Sequence, residues 1–111
     1  MKNLHRSILI DSKWTSMSLP EQMGNIGSEV YRSINKFNKN GFEQAFNRAL
    51  ELYDAAIADK RWKHRLKEIL RSRELFCSLF FGELNENEFK DTSEFLNKYF
   101  TQFGFLVNLK K

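Results

Sequence analysis

The chain has 111 residues, and its 18 Lys and Arg against 14 Asp and Glu give a net charge of +4. This length is typical of one domain that folds without disulfides or structural metals. The single cysteine, Cys77, excludes an intramolecular disulfide. Eleven Phe with five Gly and one Pro favour a compact helical protein over a β fold with many turns. We find no signal peptide and no apolar run of membrane-spanning length, so we expect a cytoplasmic protein without a membrane partner.

Residues 1–17 have no helical periodicity, so we predict an irregular N-terminal arm in front of a domain formed by residues 18–111. Leu4, Ile8 and Ile10 are the apolar positions of this arm, and Trp14 is large enough to anchor it. We expect the arm to pack on its own domain or to swap onto a neighbouring protomer.

The first predicted helix covers residues 18–38. Ser18 is a suitable N-cap, Pro20 suits the first turn, and Glu21 is positioned to complete a capping box. Apolar side chains then recur every three or four residues, which predicts one core-facing side.

Gly24 and Gly27 lie on one flank of this helix, where each costs up to ~1 kcal/mol relative to Ala. We interpret them as the place where a neighbouring helix approaches closely. The alternative is that a polar row beside them lines a groove for a partner or a small ligand. That row consists of Gln22, Asn25, Glu29 and Arg32.

Three more helices are predicted, at residues 41–58, 60–81 and 92–108, with a polar, acidic connection at residues 83–90. Helices two and three are separated by a tight corner, which makes them antiparallel neighbours. The third helix has a core stripe formed by Trp62, Leu66, Ile69, Leu70, Phe76, Cys77, Phe80 and Phe81. The fourth has one formed by Phe95, Leu96, Tyr99, Phe100, Phe103, Leu106 and Val107. The fold class predicted is all-α, an up-and-down four-helix bundle.

Positive charge is concentrated at the start of the third helix, in Lys60, Arg61, Lys63, His64, Arg65, Lys67 and Arg71. On an α-helical wheel Lys60, Lys63, His64, Lys67 and Arg71 form one row, with Arg61 and Arg65 on the adjoining flank. Such a row suits phosphates or an acidic partner, which makes nucleic-acid binding, with RNA as the partner, a second hypothesis for the function. The alternative is a solvated helix side that keeps a Phe-rich protein soluble.

Arg73 falls near the centre of the apolar stripe, where a buried guanidinium needs a carboxylate partner. We predict a buried ion pair with Glu29, or else a side chain that extends out to water. Leu75 and Leu79 point away from the stripe, as does Phe105 in the last helix. Together with Trp14 they are the predicted surface for a second copy or a protein partner.

Catalytic chemistry finds little support in the sequence. His5 and His64 are the only histidines, there is no phosphate-binding Gly loop, and no Ser or Cys has a nucleophile context. His64 and Glu68 have a spacing that suits a metal, but the surrounding cations repel one. We predict no cofactor and no metal. The HEPN ribonucleases have Arg, four to six residues and then His, whereas only two residues separate Arg61 from His64, which disfavours their active form.

The segments EQMGNIGSEVYRSI and ALELYDAAIADKRWKHRLKEILRSRELF resemble small bacterial helical-bundle proteins, a resemblance that implies no activity. In shape and charge the chain also resembles the small basic bundles encoded within ribosomal RNA intervening sequences and the accessory protein of diversity-generating retroelements. The sequence therefore favours a non-enzymatic helical module that self-associates or docks a protein partner. Its alternative is RNA binding through the basic face of the third helix.

Overall fold

The computed structural model describes the backbone of residues 12–82 and 84–109 and the side chains of residues 13–82 and 84–103. Over these residues the secondary structure is helical, without a strand. The elements are α1 (Ser12–Ser16), α2 (Leu19–Asn35), α3 (Phe42–Ala58), a 3₁₀ helix (Lys60–Arg65), α4 (Leu66–Ser78) and α5 (Glu86–Leu109). The all-α prediction is therefore confirmed. No helix within the described part of the chain is both long and apolar enough to cross a membrane.

The N-terminal arm differs from its prediction where it can be compared. Residues 1–11, with the predicted apolar positions Leu4, Ile8 and Ile10, lie outside the described residues. Ser12–Ser16 forms one helical turn instead of irregular chain. The turn is held because the backbone amide of Met17 donates to the carbonyl of Trp14 at 3.1 Å.

Two capping boxes fix where the longest helices begin. At α2 the amide of Glu21 donates to Ser18 Oγ at 3.2 Å, and the Ser18 amide donates to Glu21 Oε1 at 2.9 Å, as predicted. Asn85 and Glu88 make the same reciprocal pair, at 2.8 and 3.1 Å. Since Asn85 caps α5, this helix begins at Glu86, six residues before its predicted start at residue 92.

The third predicted helix is not one continuous α-helix. Residues 60–65 have 3₁₀ geometry, α-helical geometry begins at Leu66, and it ends at Ser78 rather than at residue 81. In a 3₁₀ helix side chains three apart are eclipsed, so Arg65 lies above Trp62. The Arg65 guanidinium carbon is 5.9 Å from the centre of the Trp62 ring, a cation–π contact that this spacing permits.

The helices pack around one apolar core. Helix α2 contacts α3 and α5, and α4 contacts the same two helices. At one end of the helices the rings of Phe37, Phe42, Phe46, Phe80 and Phe89 pack on one another. At the other end Trp62 and Phe103 meet edge to face, with ring centres 6.5 Å apart. Tyr53 and Phe76 lie fully buried between these ends.

Three side chains that the apolar stripes placed inside are exposed: Leu70 by 42%, Phe95 by 54% and Phe81 by 66%. Leu70 lies one position beyond Ile69, which takes the core position. Phe95 lies on the flank of α5, because Leu96, Phe100 and Phe103 define its buried side. Phe81 follows the end of α4, in a turn.

The two glycines of α2 have different surroundings. A Cβ added at Gly27 would lie 2.7 Å from Phe100 Cβ, so α5 crosses α2 at this position too closely for any side chain. A Cβ at Gly24 would meet no atom within 4 Å. Close helix approach therefore explains Gly27 and leaves Gly24 without a packing reason.

Candidate functional site

The cationic segment begins at Asp59, which caps the 3₁₀ helix. Its carboxylate accepts the backbone amide of Arg61 at 3.0 Å and the Arg61 side chain at 2.7 Å. The Arg61 guanidinium also donates to the carbonyl of Met17 at 2.9 Å, which ties this end of the segment to α1. Hydrogen bonds from Arg61 hold the pKa of Asp59 below its ordinary range. Arg61 therefore has a structural role, although the sequence grouped it with ligand-binding cations.

Gln22 is a buried polar centre beneath the same segment, with 0% of its surface exposed. Its Nε2 donates to the carbonyl of Trp14 at 3.0 Å and to Asp59 Oδ2 at 3.2 Å. Its Oε1 accepts the indole N–H of Trp62 at 3.0 Å. One amide thus connects α1, the cap and the 3₁₀ helix. Sequence reasoning placed Gln22 in a polar row for a ligand, but its hydrogen bonds are made inside the protein.

Arg65 is the second cation with an intramolecular role. Its Nη2 donates to Glu68 Oε1 at 2.8 Å, and its guanidinium carbon lies 5.1 Å from the centre of the Phe103 ring. The same Glu68 oxygen accepts the hydroxyl of Tyr99 at 2.7 Å. Burial, together with this hydrogen bond to a carboxylate, raises the pKa of Tyr99, so its hydroxyl remains a neutral donor.

The other five basic residues between positions 60 and 71 are all exposed, and no side-chain hydrogen bond or ion pair joins any of them to the described residues. They are Lys60, Lys63, His64, Lys67 and Arg71. We call these five residues the cationic surface. Their exposure is as predicted for a solvent-facing side. They do not form the single row predicted for a continuous α-helix, because residues 60–65 have 3₁₀ geometry.

The 3₁₀ geometry divides the cationic surface into two parts. At about 3.0 residues per turn Lys60 and Lys63 lie in line along the segment, whereas the α-helical wheel at 3.6 residues per turn placed them beside Lys67. With ideal geometries the two lysines turn roughly 100° away from Lys67, whereas His64 remains close to the line of Lys67 and Arg71. His64, Lys67 and Arg71 therefore form the part of the cationic surface that follows α4.

A groove of about 380 Å³ lies beside this second part, between α4 and α5. It is lined by Lys67, Glu68, Arg71, Ser72, Phe95 and Tyr99. The Phe95 ring is half exposed, and the described residues place no other aromatic ring against it. Tyr99 is held from behind by Phe100 and Phe103, at 5.0 and 5.3 Å between ring centres. Two cations therefore border a groove with an apolar, aromatic wall.

The sequence did not identify this groove because Phe95 was assigned to the core stripe. A signal was present, however. Leu96, Phe100 and Phe103 alone complete a core-facing side, which leaves Phe95 and Tyr99, four residues apart, on its flank.

The surface predicted for a second copy or a protein partner is largely internal. Trp14 is 5% exposed and belongs to the core, Leu79 is 3% exposed, and Leu75 packs against the same core. Leu79 lies just beyond Ser78, where α4 ends, and Leu75 packs against the core from within α4, so neither side chain forms an outward surface. The side chain of Phe105 lies outside the described residues.

The predicted buried pair of Glu29 and Arg73 is wrong. Glu29 pairs with Arg32, three residues further along α2. Arg73 donates from Nε to Asp54 Oδ1 at 3.1 Å, and both of these side chains are about one-third exposed. Arg73 thus reaches the adjacent helix α3 at the edge of the core and does not need a buried carboxylate.

The rest of the predicted polar row faces a separate pocket of about 640 Å³. Asn25, Glu29 and Arg32 line it with Trp14 and Arg48, while Gln22 does not. Because Glu29 and Arg32 satisfy each other and Asn25 donates to the carbonyl of Glu21, the row has little unpaired polarity to offer a ligand.

The described side chains offer little reactive chemistry. Burial raises the pKa of the Cys77 thiol, which disfavours the nucleophilic thiolate. No three His, Cys, Asp or Glu side chains among the residues described come together in a way that would hold a metal ion. Comparison of the whole chain with protein-family models, curated proteins and solved structures gives no match.

Proposed function

We propose that this protein is a non-enzymatic module that binds RNA through the cationic surface. The observation that carries the proposal is the exposure of Lys60, Lys63, Lys67 and Arg71 without an intramolecular carboxylate among the described residues. Phosphates provide the charge that such side chains otherwise lack, and binding them releases counterions from the nucleic acid.

A face that serves solubility alone would be expected to mix both signs of charge. The exposed side of α5 has this mixture, since Lys90, Asp91, Glu94 and Lys98 are all exposed. Between residues 60 and 71 the one acid is Glu68, and Arg65 neutralises it at 2.8 Å. The contrast between these two surfaces favours ligand binding over solvation for the cationic one.

The scaffold we propose is an up-and-down four-helix bundle made of α2, α3, α4 and α5. Each of α2 and α4 packs against both α3 and α5, which is the neighbour pattern of a bundle. Phe37 of the turn after α2 meets Phe80 and Phe89 at one end, with ring centres 5.0 and 5.8 Å apart. Alternating helix directions with short connections bring these residues together.

The test is a salt titration of binding to a fluorescein-labelled single-stranded RNA dodecamer, followed by fluorescence anisotropy. Contacts to two phosphates give a logarithmic salt slope near −1.4, so affinity falls about sevenfold between 50 and 200 mM salt. The double variant Lys67→Glu, Arg71→Glu should abolish this salt dependence.

Lys39→Glu, Lys90→Glu is the matched control, because it lowers the net charge equally. Both control lysines are exposed, and they lie at the opposite end of the helices, near the Phe37–Phe89 stack. The absence of binding at 50 mM salt, or equal losses in the two double variants, would contradict the proposal.

Self-association or docking of a protein partner is the second candidate function. The observation in its favour is the 66% exposure of Phe81, the most exposed large apolar side chain among the residues described. Light scattering across a hundredfold range of protein concentration tests the homo-oligomer. A mass that rises with concentration in the parent and stays monomeric in Phe81→Ser supports it, whereas a monomer throughout removes self-association.

A further inference from the structure

We propose that the groove between α4 and α5 is a site for an unpaired nucleobase, which stacks on Phe95 while the adjoining phosphates meet Lys67 and Arg71. This inference rests on the proposed function and specifies its ligand as single-stranded nucleic acid. It also gives Phe95 and Tyr99 a role that a core position does not explain.

The exposed ring of Phe95 suits a stacked base. A Phe side chain exposed by 54% presents apolar surface to water on a helix whose core side is already complete. Every base has a flat π-face, so an aromatic side chain beside a cationic row is the usual platform for single strands. The groove volume of about 380 Å³ falls within the ~300–1,000 Å³ typical of ligand pockets.

The charge around the groove suits the phosphates of a strand. Lys67 and Arg71 are one helical turn apart on α4, roughly 6 Å between their Cβ atoms, a separation close to that of neighbouring phosphates on a strand. Glu68 is the one carboxylate that lines the groove. Its Oε1 accepts both Arg65 and Tyr99, at 2.8 and 2.7 Å, so its negative charge is countered from within the protein. The groove therefore presents a net positive rim to an anionic strand.

The groove wall is held in place by hydrogen bonds and ring packing. The Tyr99 hydroxyl is fixed by Glu68, and its ring packs edge-on against Phe100 and Phe103. The Ser72 hydroxyl is 2.6 Å from the Tyr53 hydroxyl, deep in the core. A wall already in place costs little ordering when a base binds, which favours affinity.

Duplexes should bind less well than single strands. In a double helix the bases stack on one another and present only their edges, so their faces are not available to Phe95. The cationic surface still attracts the phosphates of a duplex, but the aromatic contact is lost. The proposal is therefore a preference among nucleic acids, separate from the general attraction of charge.

The experiment compares a labelled single-stranded RNA dodecamer with the same strand in a duplex, at 50 mM salt, for the parent and four variants. Phe95→Ala should weaken single-strand binding about 5- to 150-fold, which corresponds to the ~1–3 kcal/mol lost with one base–aromatic stack. Its salt slope should not change, because no phosphate contact is removed. Phe95→Tyr keeps a stacking ring and should bind within twofold of the parent.

Tyr31→Ala is the matched control, since Tyr31 is an aromatic residue exposed by 56%, against 54% for Phe95, but lies on α2 and does not line the groove. A Phe95→Trp variant adds a direct signal, because emission from an indole in the groove is quenched when a base stacks on it. Salt-dependent RNA binding with equal affinities for Phe95→Ala and the parent, or for duplex and single strand, would show that the groove proposal is wrong and leave the proposed function standing. If no RNA binds even at low salt, it is the proposed function that fails.

Discussion

Replacing Gln22 with Leu tests how the cationic segment is held on the protein. Leu has a similar volume and no hydrogen-bonding groups, so the change removes three polar contacts with little cavity. The indole N–H of Trp62, which is fully buried, loses its acceptor at a cost of ~1–3 kcal/mol. The Trp14 carbonyl loses one of its two donors but keeps the amide of Met17, and Asp59 keeps Arg61. Together we expect a loss of about 3 kcal/mol in the free energy of unfolding, or about 12 °C in Tm.

The assay is urea unfolding followed by circular dichroism and by the emission of Trp14 and Trp62, the two tryptophans that contact Gln22. Gln44→Leu is the control, because Gln44 is exposed on α3 and its replacement should change stability by less than ~0.5 kcal/mol. A loss below ~1 kcal/mol in Gln22→Leu would refute the reasoning, since it would mean that the buried indole N–H needs no partner.

Gln22→Glu adds a sign test to the same argument. The new carboxylate would lie near Asp59, which now accepts from Gln22 at 3.2 Å, and would have no proton to donate to the Trp14 carbonyl. Burial and the neighbouring charge raise the pKa of the new group in the folded protein, so the variant should be least stable at neutral pH. As the pH falls through that raised pKa, the new carboxylate is protonated. The stability of the Gln22→Glu variant should then approach that of the parent.

Three further predictions concern packing and charge. Gly27→Ala should lower the free energy of unfolding by about 1–3 kcal/mol, because the added Cβ would lie 2.7 Å from Phe100, whereas Gly24→Ala should raise it by up to ~1 kcal/mol. Thermal unfolding of the two variants compares them directly. Similar shifts in Tm would contradict the close approach at Gly27. Asp59→Asn should destabilise the protein most above pH ~5, because the pKa of Asp59 is depressed in the folded state. The difference between variant and parent in the free energy of unfolding, measured with urea, should become smaller below pH ~4. A difference that does not change with pH would be inconsistent with the depressed pKa. Arg73→Met should lower the free energy of unfolding by less than ~1 kcal/mol, because the Arg73–Asp54 pair is about one-third exposed. A larger loss in chemical unfolding would show that the guanidinium has a further structural role.

The helix starts show which parts of the fold the sequence could predict. Ser18 and Glu21 form a local capping box, and the helix after them was placed within one residue of its observed start. Asn85 and Glu88 carry the same local signal, and the start of α5 was missed only because a later Asp was preferred as the cap. Local hydrogen bonds of this kind can be read from four residues.

The 3₁₀ helix depends on contacts that no local pattern contains. Trp62 is held by Gln22, forty positions earlier in the chain, and Arg65 is held between Trp62 and Phe103 of the last helix. At α-helical pitch Trp62 fits the same apolar stripe as Leu66 and Ile69, so periodicity alone predicts a continuous α-helix from residue 60. Tertiary contacts therefore override the periodicity, and the predicted positions of Lys60 and Lys63 were wrong for the same reason.

The ion pair of Arg73 was predictable from an expectation that the sequence already supported. Helices two and three were expected to be antiparallel neighbours, so residues of one helix should meet those of the other in a fixed register. Phe46 meets Phe76 and Tyr53 meets Ser72, so rising numbers on α3 meet falling numbers on α4, and this register places Asp54 beside Arg73. Choosing Glu29 ignored that constraint, because the wheel gives the direction of a side chain but not the identity of the helix beside it.

The salt slope of RNA binding separates two pictures of the cationic segment. Of the six Lys and Arg side chains between positions 60 and 71, Arg61 and Arg65 are engaged by Asp59 and Glu68. The 3₁₀ turns then direct Lys60 and Lys63 away from the groove, which leaves two cations for a bound strand. The expected slope is therefore near −1.4, whereas a strand that also followed the 3₁₀ helix would meet four cations and give about −2.8.

Lys60→Glu, Lys63→Glu decides between these pictures when it is compared with Lys67→Glu, Arg71→Glu. If the strand follows the groove, the first pair should leave the slope unchanged and lower affinity only through longer-range repulsion, which 0.2 M salt largely screens. The second pair should remove the salt dependence. A slope near −2.8 that falls by half in either double variant would show that the strand passes over both parts of the cationic surface, and that ideal 3₁₀ geometry exaggerates their separation.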